Sequence, residues 1–104
     1  MTERDGRVAI SNMPLQTKIR EKLSMAFEPV DLDVIDESAL HAGHAGARPG
    51  GETHYRVRIV SARFEGLTRV NRQRAVYTAL AEELQSQIHA LALTTLTPEE
   101  ARLR

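Results

Sequence analysis

Apolar residues recur along this chain with two different periods, and the switches between them divide it into elements. Leu15, Ile19, Leu23 and Ala26 recur at helical spacing, with Lys18, Arg20, Glu21 and Lys22 around the other side, so an amphipathic helix is expected there. Pro14 suits its first turn, Ser11 or Asn12 is placed to cap it, and Pro29 ends it. Val30-Asp31-Leu32-Asp33-Val34 then alternates strictly, as a half-buried strand does. His54 to Val60 alternates again: Tyr55, Val57 and Ile59 face one way, His54, Arg56 and Arg58 the other. After a turn at Gly66, the helical period returns from Thr68 to Gln85, with Val70, Tyr77, Leu80 and Leu84 on one stripe and a break near Asn71 to Arg74. Ile88 to Leu96 reads as a third strand, with His89, Leu91 and Leu93 on one face and Ala90 and Ala92 on the other. Thr97-Pro98-Glu99-Glu100 is a capping box with proline at the first helical position, and it opens a short last helix.

The order helix, strand, strand, helix, strand, helix predicts an α+β fold: a two-layer sandwich of a three-stranded sheet with helices on one face. Met1 to Asn12 has no periodicity and reads as a flexible tail, which leaves 13–104 as the folded domain and Met13 as a candidate start. Between the first two strands lies Glu37 to Thr53, about seventeen residues with four glycines, one proline and two histidines. Hairpin loops usually run about two to five residues, so this length asks for a functional explanation.

Composition narrows the chemistry. A chain of 104 residues holds one domain, and it buries only about two thirds of its unfolded surface. With two Phe, two Tyr and no Trp, the core must come from Leu, Val, Ile and Ala. The absence of cysteine excludes a disulfide scaffold and a catalytic thiol. It also means that the chain alone cannot build the thiolate cage of an ordinary iron–sulfur cluster. No apolar run approaches the ~20 residues of a membrane span, and the N-terminus lacks the apolar stretch of a signal peptide, so the expected location is the cytoplasm, with no membrane partner. No nucleophile motif or phosphate loop is present, and enzymatic activity is not expected. Formal net charge is zero, from 14 basic and 14 acidic residues. Its distribution is uneven, with five acids between Glu28 and Glu37 and six arginines from Arg56 to Arg74.

Several stretches then resemble one family in order and spacing. Phe64-Glu65-Gly66-Leu67, Asn71-Arg72-Gln73-Arg74, Val76-Tyr77, Leu80-Ala81-Glu82-Glu83-Leu84 and His89-Ala90-Leu91-Ala92-Leu93 look like the BolA signature. Upstream, Val34-Ile35-Asp36-Glu37-Ser38 and Gly51-Glu52-Thr53-His54-Tyr55-Arg56-Val57 resemble the two strands that flank the family's variable loop. The match runs from about Leu15 to Glu99. It implies a fold like the type II KH domain, partnership with a monothiol glutaredoxin, and a 2Fe-2S cluster shared with that partner, with none expected in the isolated chain. Members of the family have also been regarded as transcriptional regulators. With no cysteine and a loop reading Leu40-His41-Ala42-Gly43-His44-Ala45-Gly46, this chain resembles the histidine type. One departure stands out: the family commonly has histidine where this chain has Gln73.

Taken alone, a strand histidine such as His89 is more often satisfied by a backbone carbonyl than by a metal. The resemblance points the other way, because His89 matches the family's invariant histidine, and imidazole is a good ligand for iron. His41 matches the family's loop ligand, with His44, three residues on, as second choice. His54 reads as a residue that orients the loop from behind the ligands. Gly43-His44-Ala45-Gly46 has the form of the phosphate-clamping KH loop, but a KH loop joins two helices and this one joins two strands. Arg63, Arg69, Arg72 and Arg74 are the candidates for contacting nucleic-acid phosphates; a solvated face, or one complementary to an acidic partner, is the plainer alternative. Three readings result: an iron–sulfur partner of a glutaredoxin, a DNA-binding regulator, and a histidine site for zinc or copper that needs no partner. Alone, the chain is expected to be a monomer or weak homodimer.

Overall fold

The computed structural model describes residues 14–37 and 54–103. Helix α1, Leu15–Phe27, buries Leu15, Ile19, Leu23 and Phe27, a spacing of four residues that keeps one stripe against the sheet. Phe27 takes the place expected of Ala26, which is exposed. The alanine lies on the right arc of the helix, but the larger side chain one residue on reaches the core and packs on Phe64 at a ring separation of 5.1 Å. Pro14 stands just ahead of the first helical residue rather than inside the turn, and its carbonyl accepts from the Lys18 N–H at 2.9 Å. Ser11 and Asn12, the expected caps, lie outside the described residues, as does the N-terminal tail. At its other end α1 closes on Glu28 in the left-handed conformation (φ 46°), whose N–H reaches the Ser24 carbonyl.

Strand β1, Asp31–Asp36, pairs antiparallel with β2, His54–Val60, setting Val34 opposite Val57. β2 then pairs parallel with β3, Ala90–Leu96, setting Val57 opposite Leu93. Among the described residues the sheet is three-stranded and mixed, in the order β1-β2-β3. Alternation along β2 is as the sequence predicts: Tyr55, Val57 and Ile59 are buried, while Arg56 is exposed on the reverse face. The helices cover the buried face, and the α+β two-layer expectation is borne out.

Past β2, Ser61 is fully buried and ties three segments together. Its Oγ donates to the Phe27 carbonyl at 2.6 Å and accepts from the Arg63 N–H at 3.0 Å. A short 3₁₀ turn, Ala62–Phe64, inserts Phe64 into the core. Gly66 follows at φ 83°, a conformation that favours glycine.

Helix α2 spans Arg69–Ala79 and α3 spans Ala81–Ser86. The division falls at Leu80, not near Asn71 to Arg74. Leu80 is fully buried between the two helices, and the bend lets Val76 and Leu80 fill the core while α3 turns towards α1. No proline or glycine marks the place, so tertiary packing rather than local propensity sets it. The expected stripe is also corrected: Val76 and Leu80 are buried, but Val70 and Tyr77 are exposed. From α3, Glu83 is buried beside α1, where its Oε2 lies 2.7 Å from Lys22 Nζ.

β3 begins at Ala90, not Ile88. Ile88 is buried and its N–H donates to the Glu83 carbonyl at 2.7 Å, which ties it to the end of α3 and keeps it out of the strand. The last helix, α4, is Pro98–Arg102, and its capping box is complete: Thr97 Oγ1 accepts from the Glu100 N–H while the Glu100 carboxylate accepts from the Thr97 N–H. Among the described residues no helix is long and apolar enough to cross a membrane.

Candidate functional site

Two of the four histidines meet at one end of the sheet. β1 runs out at Asp36, and the next residue, Glu37, donates its N–H to the His54 carbonyl at 2.8 Å, extending the ladder by one rung. β2 starts at His54, and the parallel register sets His54 opposite Ala90. His89 occupies the bend immediately before it. The His54 and His89 rings lie 5.4 Å apart between centroids, tilted by 55°.

His89 is exposed and His54 half-buried. Strict alternation would have sent His89 to the core face with Leu91 and Leu93. The bend releases it from that pattern, while Ile88 on one side and β3 on the other hold its backbone. Arg56, the next outward residue on β2, donates from Nε to Glu37 Oε2 at 2.7 Å, and this carboxylate holds the guanidinium still more firmly protonated. Charge beside the histidines is thereby balanced. Among the described residues no three imidazole, thiol or carboxylate groups converge on one point. His41 and His44 lie outside the described residues. Their segment leaves the sheet at Glu37 and returns at His54, the same end at which His89 stands.

The four arginines named from the sequence are not brought together as one surface. Arg63 pairs with Glu28 at 2.9 Å, both side chains exposed. Arg72 turns inward. Its Nε donates to the Leu67 carbonyl at 3.0 Å and its Nη1 to the Thr95 carbonyl at 3.1 Å, while Nη1 and Nη2 clasp the Glu100 carboxylate at 2.7 and 3.2 Å. The guanidinium carbon lies 6.0 Å from the Phe64 ring centroid. Arg72 therefore fastens α2 to β3 and α4, and phosphate contact is not what its geometry serves. Arg69 and Arg74 remain exposed at α2, Arg74 within 3.5 Å of Asn71 Oδ1. Neither meets a carboxylate among the described residues. Gln73, where the family commonly has histidine, is half-buried and lies with Arg69 beside Leu93 to Leu96.

Sequence reasoning missed two features. It gave His54 a supporting role from its face alone; its approach to His89 follows only once β2 and β3 are known to pair in parallel. It also missed the pair of half-buried Lys22 with buried Glu83, which joins residues sixty-one positions apart. A groove of about 590 Å³, lined by Val30, Arg58, Val60, Pro98 and Arg102 among others, lies at the opposite end of the sheet.

The family model for BolA-like proteins matches residues 23–100. The chain belongs to the BolA family. It is 48% identical over 87 residues to the chloroplastic protein BOLA1 of Arabidopsis thaliana, across 82% of this chain and 54% of that protein. The chain thus spans little more than half the length of that relative. To the DNA-binding transcriptional regulator BolA of Escherichia coli K12 it is 48% identical over 88 residues, across 85% of this chain and 80% of that one. Among solved structures, BolA1 from Arabidopsis thaliana superposes with a TM-score of 0.74 at 42% identity, covering 85% of this chain and 96% of the other. The mixed three-stranded sheet with its helical layer is therefore the BolA fold.

Proposed function

We propose that this BolA protein is a partner module for a monothiol glutaredoxin, sharing a 2Fe-2S cluster with it through His89 and a histidine of the long segment, His41 before His44. The observation that carries the reading is where the chain puts its imidazoles. His89 is fixed at the end of the sheet from which the segment with His41 departs and to which it returns. Four positions separate Glu37 from His41, and a chain of that length spans at most about 14 Å. The segment that carries His41 therefore starts from the end of the sheet at which His89 stands.

The donor set fits such a group. Imidazole is a suitable ligand for iron, and the chain has no cysteine, so thiolates must come from the partner. A cluster bound there supplies one-electron chemistry, and histidine in place of thiolate on one iron raises its potential. This chain's part is to present His89 on a fixed backbone and to leave the neighbouring surface open. Protonation of an imidazole also gives a route to release.

Co-expression with the cognate glutaredoxin is expected to yield a coloured heterocomplex whose visible absorbance and circular dichroism differ from those of the glutaredoxin homodimer. A colourless mixture, or a spectrum unchanged from the homodimer's, would contradict the proposal.

A second reading is DNA binding, favoured by the name of the Escherichia coli relative. In this chain it would rest on Arg69 and Arg74, the two exposed arginines of α2, rather than on all four named from the sequence.

A further inference from the structure

We propose that the outer edge of β3 docks an extended acidic segment of a partner protein, which joins the sheet as a further strand and meets Arg69 with a carboxylate. The proposal rests on no part of the cluster reading. Among the described residues no strand pairs with the far side of β3. The Leu96 carbonyl turns towards β2 and accepts from the Ser61 N–H at 2.9 Å. Successive residues of a strand paired in parallel turn their backbone groups to alternate sides, so Leu91, Leu93 and Thr95 present theirs outwards. The Thr95 carbonyl bears this out, since it accepts from Arg72 on α2 at 3.1 Å. The N–H and C=O groups of Leu91 and Leu93 meet no other strand among the described residues.

Natural proteins guard such an edge with charge, proline or a very short strand. β3 has none of these: it runs for seven residues, Ala90 to Leu96, with neither a charged residue nor a proline. Beside it lies a cleft of about 180 Å³ against α2, lined by Arg69, Gln73 and Leu93 to Leu96. Arg69 is exposed and meets no carboxylate among the described residues, whereas Arg72 and Glu100 already satisfy each other. These features define the occupant. An extended peptide brings both donors and acceptors to Leu91 and Leu93, and a carboxylate matches the fork of a guanidinium. A phosphate backbone carries acceptors only and would leave both leucine carbonyls unmet. No aromatic ring lines the cleft for a base to stack on. A second copy of β3 carries no acid for Arg69.

The test screens the full chain, without glutaredoxin, against an array of short capped peptides rich in β-branched residues, each made with one glutamate and with glutamine in its place. The strongest binder is then followed by amide NMR and hydrogen exchange. Glutamate peptides should bind better than their glutamine counterparts. The Leu91 and Leu93 amides should exchange freely in the chain alone, then shift and become protected on binding. Arg69→Ala should weaken the glutamate peptide about tenfold, the scale of a charge-assisted pair. Arg63→Ala, whose guanidinium is held by Glu28, should leave it unchanged. N-methylation along the pairing edge of the peptide should abolish binding. An array without binders, or binding that ignores Arg69 or N-methylation, would overturn the proposal. So would protection of the Leu91 and Leu93 amides in the chain alone, which would mean that its own segment or a second copy holds the edge. Short duplex DNA that displaces the peptide and shifts the same amides would likewise overturn it in favour of nucleic acid.

Discussion

Four of the five N–H groups of Arg72 are engaged within the fold, which makes this arginine the clasp between α2, β3 and α4. Arg72→Ala leaves the Thr95 carbonyl without its side-chain donor and α4 without its anchor. Chemical denaturation is expected to show a loss of about 2 kcal/mol, within the range for charge-assisted hydrogen bonds. A loss below about 0.5 kcal/mol would contradict the clasp. Its partner gives a pH signature. Arg72, and after it the Thr97 N–H, lowers the Glu100 carboxyl from its usual 4.5 to about 2. A carboxyl lowered in the folded state contributes stability that is present above about pH 4.5 and is lost as pH falls towards 2. The acid limb of the stability curve should therefore flatten in Glu100→Gln between these values. At the same scale, alternation along Ile88 to Leu96 assigned His89 to the core face. The tie from the Ile88 N–H to the Glu83 carbonyl is a local bond at the end of α3, spanning five residues, and with no glycine or proline there the period-two pattern does not reveal it.

Elements with strong periodicity were legible, and those shaped by their neighbours were not. β2 reads directly because its apolar positions repeat every second residue, and the capping box of α4 reads directly because its chemistry is local. In α1 the arc was right but the deepest residue was not, since side-chain size decides between Ala26 and Phe27. Stability measurements can check the stripe that resulted. Ile19→Ala removes a fully buried side chain and should cost about 3 kcal/mol, whereas Ala26→Ser, at an exposed position, should stay within about 0.5 kcal/mol. Equal effects would mean that the helix faces the core differently. The Leu80 bend was illegible because leucine is a good helix former, and only the demand to bury both Val76 and Leu80 breaks the helix there.

For the whole molecule, the uneven charge along the sequence resolves largely into pairs. Arg58 meets Asp31, Arg56 meets Glu37 and Arg63 meets Glu28, so the acidic segment around β1 neutralises half of the arginine-rich one. Such exposed pairs add little stability, but they remove those cations from a nucleic-acid surface. If the chain binds DNA, Arg69→Ala/Arg74→Ala should weaken binding to every sequence and reduce its salt dependence. An unchanged salt slope would end that reading. The candidate metal site was legible in part: His89 was named from its resemblance to the family, yet its nearness to His54 required the parallel register. The central claim is that this end of the sheet supplies the ligands of a cluster shared with glutaredoxin. Its most direct measurement is visible absorbance and circular dichroism of the co-expressed complex for His89→Ala, His41→Ala, His44→Ala and His54→Ala. His89→Ala should abolish the spectrum that distinguishes the mixed complex, His41→Ala should weaken it, and the other two should change it less. An unchanged spectrum in His89→Ala would contradict the account, and a larger loss in His44→Ala than in His41→Ala would show that His44 is the loop ligand.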